Sequence, residues 1–390
     1  MKKYFSPVIA LSLVLICLLI VAFKKPHQQP THAVYPSPKE NHSKIQVAIL
    51  LDVSNSMDGL IEQAKAQLWN MVSVMGKAKC ENQAPQIEIA LYEYGRPTND
   101  VKAGYVKQLS GFTTDLDKLS QTLFGIETNG GDEYCGVVMQ TSLNKLNWDT
   151  AASNYKVIFI AGNEDFLQGN VLYTKACLEA KKKGVIINTI YCGEKMDGIR
   201  EHWNVTGECG SGSYTNINQD SKLEDIATPY DSILFLLNDQ LNSTYIAYGV
   251  SGKVNAIQQE EVDTKNYEMN KSVAAKRVAV KGKKELYNNT HWDMVDAYDS
   301  DTSFIAKVDM KTLPDSLQKK NRTELKNIVK TKNIQRGKIQ KDIEAISSKR
   351  EAYIAAERAK LAVKNNNATL ETEIEKIIKQ QAKKFNMVIK

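Results

Sequence analysis

Residues Ile45 to Leu51 (Ile-Gln-Val-Ala-Ile-Leu-Leu) form a run short enough for one strand and too apolar to keep a face in water. A strand of that kind belongs in the middle of a sheet that is covered on both sides. Lys156-Val-Ile-Phe-Ile160 and Val185-Ile-Ile-Asn-Thr-Ile-Tyr191 have the same character. Apolar residues recur at helical spacing over Leu60–Met75, Leu116–Phe124, Gly136–Leu146 and Val171–Lys183, where Gly184 ends the last. Ile87–Tyr94, Tyr105–Leu109 and Gly212–Ile217 read as further strands, and Leu223–Leu241 as a closing helix restarted at Pro229. Strands alternating with helices predict an α/β fold with a doubly wound, mostly parallel, Rossmann-like sheet. Ligands of such sheets sit at the carboxyl ends of the strands.

The first run ends there, on Asp52-Val53-Ser54-Asn55-Ser56. Alternate residues of an extended segment point the same way, so one carboxylate and two hydroxyls can converge where the strand gives way to a helix. Such hard oxygens suit Mg²⁺, or Mn²⁺ or Ca²⁺, rather than zinc. The plain alternative is a helix N-cap, where Ser and Asp are favoured in any case.

The D-x-S-x-S element, the order of the elements and the Gly-rich loop Thr128-Asn129-Gly130-Gly131-Asp132-Glu133 resemble the von Willebrand factor type A domain and its metal-ion-dependent adhesion site. The resemblance covers residues 44–242, roughly half of the chain. It implies Asp52, Ser54 and Ser56 as the ligands of the first loop. The second loop of the family supplies a Thr; Thr128 is the first choice by residue type, with Asp132 and Glu133 as competitors. The third loop departs from the family. Ala161-Gly162-Asn163-Glu164-Asp165 puts Gly162 where the family has Asp, so either Asn163 or Glu164 contributes, or that ligand is missing. The chemistry implied is divalent-metal-dependent protein binding or adhesion, in which an acidic residue of a protein partner displaces a water on the ion. No Gly-x-Ser-x-Gly, phosphate loop or His paired with Ser or Cys is present, so the chain is not read as an enzyme and no small-molecule substrate is expected. A metal-dependent hydrolase using Glu133 and Cys135 is one alternative. The other is a metal-independent envelope scaffold acting through its C-terminal helices.

Lys2 and Lys3 precede a charge-free apolar run from Val8 to Phe23, closed by Lys24 and Lys25. With Tyr4 and Phe5 the apolar length approaches the ~20 residues that span a bilayer. Residues 1–25 therefore read as a signal-anchor or transmembrane segment that ties the protein to the membrane of the cell envelope. Its cleavage would leave a secreted protein. Residues 26–43 form a tether, 243–315 a partly helical extension with helical patterning from Lys271 to Met294 and an acidic turn at Asp296–Asp301, and 316–390 a basic helical segment. The heptads of that segment are too poor for a sustained coiled coil, and a hairpin bent at Asn365–Asn367 fits better. Nineteen Lys and Arg face eight Asp and Glu there, in a chain whose net charge is +6. Export argues against nucleic acid as the partner of that charge. Five cysteines lie outside the apolar run. In an oxidising compartment the expected pairs are Cys192 with Cys209 and, second, Cys80 with Cys135, leaving Cys177 as a small buried hydrophobe.

Overall fold

The computed structural model describes residues 43–80, 83–217, 225–362 and 370–389. The expected anchor and tether and the bend at Asn365–Asn367 lie outside these residues. Among the described residues no helix is long and apolar enough to cross a membrane.

In chain order the strands are β1 (Lys44–Asp52), β2 (Ala78–Lys79), β3 (Gln86–Tyr94), β4 (Lys107–Thr113), β5 (Tyr155–Gly162), β6 (Ile186–Cys192), β7 (Ser211–Ile217) and β8 (Val388–Ile389). Six of them make one sheet in the order β4-β3-β1-β5-β6-β7. Only edge strand β4 runs antiparallel, against β3. The sheet is therefore the predicted doubly wound, mostly parallel one, with β1 near its centre. Side chains along a strand point alternately to the two faces, and the core divides accordingly. Ile45, Val47, Ile49 and Leu51 enter one cluster with Tyr155, Val157 and Phe159. Ala48 and Leu50 enter the other with Ala90, Tyr92, Tyr94, Ile158 and Ile160.

The first face is covered by helix Asp58–Met75, by helix Leu116–Phe124 and by a helix from the far end of the chain, Leu370–Ala382. Leu370, Ile374, Ile377 and Ile378 belong to the same buried cluster as Ile45. Gln381 donates to Asn188 Oδ1 at 2.7 Å and accepts from the Tyr155 hydroxyl at 2.8 Å. β8 then pairs with β2. The second face carries helices Cys135–Lys145, Tyr173–Lys183 and Trp203–Cys209.

Buried ion pairs tie the residues beyond 242 to one another and, through Asp117 and Asp231, to two helices that precede them. Arg277, 1% exposed, reaches Asp117 at 2.7 Å and Asp263 at 2.5 Å. Lys281 shares Asp263. Arg336 lies 2.6 Å from both Asp293 and Asp296, and Arg350 2.6 Å from Asp231. Removing one partner of such a pair strands a buried charge, at a cost of about 3–5 kcal/mol. His42–Lys390 forms a single compact unit.

Three expectations change. Asp296–Asp301 is not a turn: Asp293 accepts the Asp296 amide as an N-cap, and Met294–Ser300 is helical. Helical patterning from Lys271 stops at Lys281, ahead of Gly282. The cysteine pairing is also corrected. Cys177 is joined to Cys209, with Cα atoms 5.7 Å apart, while Cys80, Cys135 and Cys192 are free. The physical reason is the sheet itself. Cys192 packs in the first face's cluster, whereas Cys209 packs against the second, beside Cys177. Cys80 and Cys135 are divided by the sheet in the same way.

Candidate metal site

At the carboxyl end of β1, Asp52 lies alongside Tyr94 of β3 and is fully buried. Its Oδ1 accepts the Ser54 amide at 2.8 Å, which folds the chain back so that both serines follow the carboxylate. The Ser54 and Ser56 hydroxyls are 3.3 Å apart. Asn163, just beyond β5, donates its Nδ2 to Ser56 Oγ at 3.3 Å and so ties the third loop to the first. The second loop is held by its backbone: the Asn129 amide donates to Val53 O at 2.8 Å.

The Gly-rich loop delivers Glu133, which is buried. A Cβ on Gly95 (φ +87°) would lie 2.9 Å from Asp52 Oδ1 and 3.0 Å from Glu133 Cγ, so both carboxylate side chains flank one glycine. Burial, then the charge of Asp52, then that of Glu164 push the Glu133 carboxyl up to about 8. Burial pushes Asp52 up to about 7 against the lowering effect of the Ser54 hydrogen bonds, and Glu164 adds to the rise. Like charges gathered in a dry place resist joint ionisation.

Thr128 donates its hydroxyl hydrogen to Asp58, a residue the sequence reading passed over, and its lone pairs remain free for another contact. Asp132 is exposed, with the Tyr134 hydroxyl 3.5 Å from its Oδ2. Glu164 is half-buried and accepts from Gln168 at 3.1 Å. The loops thus bring Asp52, Ser54, Ser56, Glu133 and Glu164 to one rim of the sheet. Asn163, the other third-loop candidate, joins them, and Asp132 is left on the outside.

Gly162 has a steric reason. A Cβ there would meet the Tyr94 hydroxyl at 2.5 Å and Asp52 Oδ2 at 3.0 Å. Tyr94 in turn donates to Ala161 O at 3.0 Å, and the Cys135 thiol packs on it at 3.7 Å. The hydroxyl of Tyr94 fills the space that a side chain at position 162 would need, so the third-loop carboxylate comes two residues later, from Glu164.

Whether the site fits a cation is decided by its acceptors. Asp52 Oδ2 and Asn163 Oδ1 are both shielded from solvent and receive no hydrogen bond. A buried acceptor without a donor is costly, and two in one place match the requirements of a hard cation. Among the described residues no three His, Cys, Asp or Glu side chains converge closely enough to hold an ion by themselves. An ion would therefore depend on the serine hydroxyls and the Asn163 carbonyl as well.

The sheet order and the placement of the serine loop resemble those of a von Willebrand factor type A domain. No protein-family profile and no curated protein matches the chain. Solved structures do. The VWA domain of SpRpn10 is 15% identical, with a TM-score of 0.35, over 46% of this chain and 91% of that one. BatB from Bacteroides thetaiotaomicron is 14% identical, with a TM-score of 0.33, over 44% and 90%. Proximal thread matrix protein 1 from the mussel byssus, with a zinc-occupied MIDAS motif, is 12% identical, with a TM-score of 0.34, over 46% and 43%.

Proposed function

We propose that this type A domain belongs to an exported, membrane-anchored protein that binds an acidic side chain of a protein partner through a divalent cation. Asp52, Ser54 and Ser56 would hold the ion, with Glu133, Glu164 and Asn163 completing its surroundings. The observation that carries this reading is the fully buried Asp52 carboxylate, whose Oδ2 has no donor. Hard oxygen donors of this kind favour Mg²⁺ or Mn²⁺. When bound, such an ion supplies an exchangeable position that a partner's carboxylate can occupy. The chain's own residues do the rest. The Ser54 amide orients Asp52, Asn163 orients Ser56, and the Val53–Asn129 contact fixes the second loop against the first.

The hydrolase alternative gains nothing from the geometry. Cys135 is fully buried, and burial pushes its thiol above the ordinary range, which disfavours it as a nucleophile.

The test is calorimetric titration of Mg²⁺ and Mn²⁺ into the protein, into Asp52→Ala and into Ser54→Ala/Ser56→Ala, with circular dichroism to verify folding. Binding is expected in the wild type and is expected to fall at least tenfold in each variant. No binding by the wild type, or equal binding by folded variants, rejects the reading.

A further inference from the structure

Helix Arg322–Ala362 carries eleven Lys and Arg against five Asp and Glu. Its two faces treat these charges differently. The inward cations are neutralised: Arg336 by Asp293 and Asp296, Arg350 by Asp231, Arg358 by Glu371. Lys360, exposed, pairs with Glu357, but five other outward cations have no such partner. Lys326, Lys330, Lys338, Lys341 and Lys349 are all exposed, and among the described residues no carboxylate lies within ion-pair distance of any of them. Their spacing of 4, 8, 3 and 8 residues places them on one face of the helix, along about 35 Å at 1.5 Å per residue. Ile334, 67% exposed, occupies the position between Lys330 and Lys338 on the same face.

Like charges one turn apart, Lys326 with Lys330 and Lys338 with Lys341, destabilise a helix. Exposed Asp342 and Glu344, one turn from Lys338 and Lys341, offset only the second pair in part, so the row is more stable against something negative outside it. The row lies outside the clefts beside this helix. The clefts of about 310 and 860 Å³ beside this helix are lined by its other faces, through Ser347 and Glu351, and by none of the five lysines. A row of exposed cations that lines no cleft and carries one exposed apolar side chain matches a plane of negative charges better than it matches a single strand of polymer.

We propose that this outer row docks on anionic phospholipid headgroups, with the lysines over the phosphates and Ile334 entering the interface. The attraction acts within a Debye length, so it is strong at low salt and screened at high salt. It is independent of the cation site: it uses different residues on a different element.

The test uses residues 43–390, which lie within the compact unit His42–Lys390 and exclude the apolar run at the amino terminus. Sedimentation with vesicles of phosphatidylglycerol and phosphatidylcholine is compared with pure phosphatidylcholine at 50 and 500 mM salt. Binding is expected only to the anionic vesicles at low salt. Replacing all five lysines by Gln is expected to lower partitioning at least 100-fold, at roughly fivefold per charge. A control replacing Lys102, Lys175, Lys195, Lys253 and Lys271 by Gln, all of them exposed lysines elsewhere, is expected to retain most of the binding. The proposal is overturned by absence of binding to anionic vesicles, by an unchanged five-lysine variant, by an equal loss in the control, or by a preference for soluble polyglutamate over vesicles.

Discussion

The Cys177–Cys209 bridge joins helices Tyr173–Lys183 and Trp203–Cys209 on the second face of the sheet, across a sequence separation of 32. A cross-link of that span removes loop-closure entropy from the unfolded chain equivalent to roughly 4 kcal/mol at 25 °C. The comparison is urea unfolding of the oxidised protein and of Cys177→Ala/Cys209→Ala. Fluorescence of the fully buried Trp203, whose ring packs on Phe166 at 4.5 Å, serves as the local probe. The variant is expected to lose about 3–4 kcal/mol. Reductant is expected to do the same to the wild type and nothing to the variant. The loss should also reach the candidate site, because Trp203 Nε1 donates to Glu164 O at 2.8 Å. A loss below about 1 kcal/mol, or peptide mapping that finds Cys192 linked to Cys209, refutes the packing argument.

Gly162→Ala is expected to cost about 1–3 kcal/mol by overpacking against Tyr94, and less in a Tyr94→Phe background; thermal denaturation of the three variants checks this. Ile378→Ala, at a fully buried position of the C-terminal helix, is expected to cost roughly 2–5 kcal/mol of stability to urea, as in any core and unlike a peripheral appendage. Asp52 and Glu133 both bind protons more tightly folded than unfolded, rising to about 7 and about 8. Metal-free stability is therefore expected to fall as pH rises from 4 to 8, since the native state holds more protons across that window. For Asp52 the displacement from 3.8 to about 7 corresponds to roughly 4 kcal/mol. Asp52→Asn should flatten the profile and be the more stable protein at pH 8 without metal. A wild-type profile that rises over the same range contradicts the burial argument.

The sheet was legible because its strands carry local signatures: a run such as Val47–Leu51 has no amphipathic alternative. The serine loop was legible for the same reason, since Asp52, Ser54 and Ser56 are neighbours in sequence. What depended on contacts between distant segments was not. The exclusion of a side chain at position 162 follows from Tyr94, on a strand that pairs with β1 and not with β5. Asp58 was missed as part of the site because first-turn aspartates are common at helix starts, whereas Asn163 was legible beside Glu164 as a third-loop candidate. The pairing of Cys209 depended on which face of the sheet each cysteine entered, and neighbourhood in sequence pointed to the wrong one. Asp296–Asp301 looked like a turn by composition, yet the cap at Asp293 and the pull of Arg336 on Asp296 make it helical.

The last helix sets a condition on biogenesis. Ile374, Ile377 and Ile378 complete a cluster begun by Ile45, so the first face of the sheet stays open until residues 370–389 have been made. A nascent chain that has delivered every strand of the sheet still lacks a wall of its interior. Such a chain cannot close its interior until the last helix docks, so the order of synthesis places the final packing step after every strand of that sheet is made.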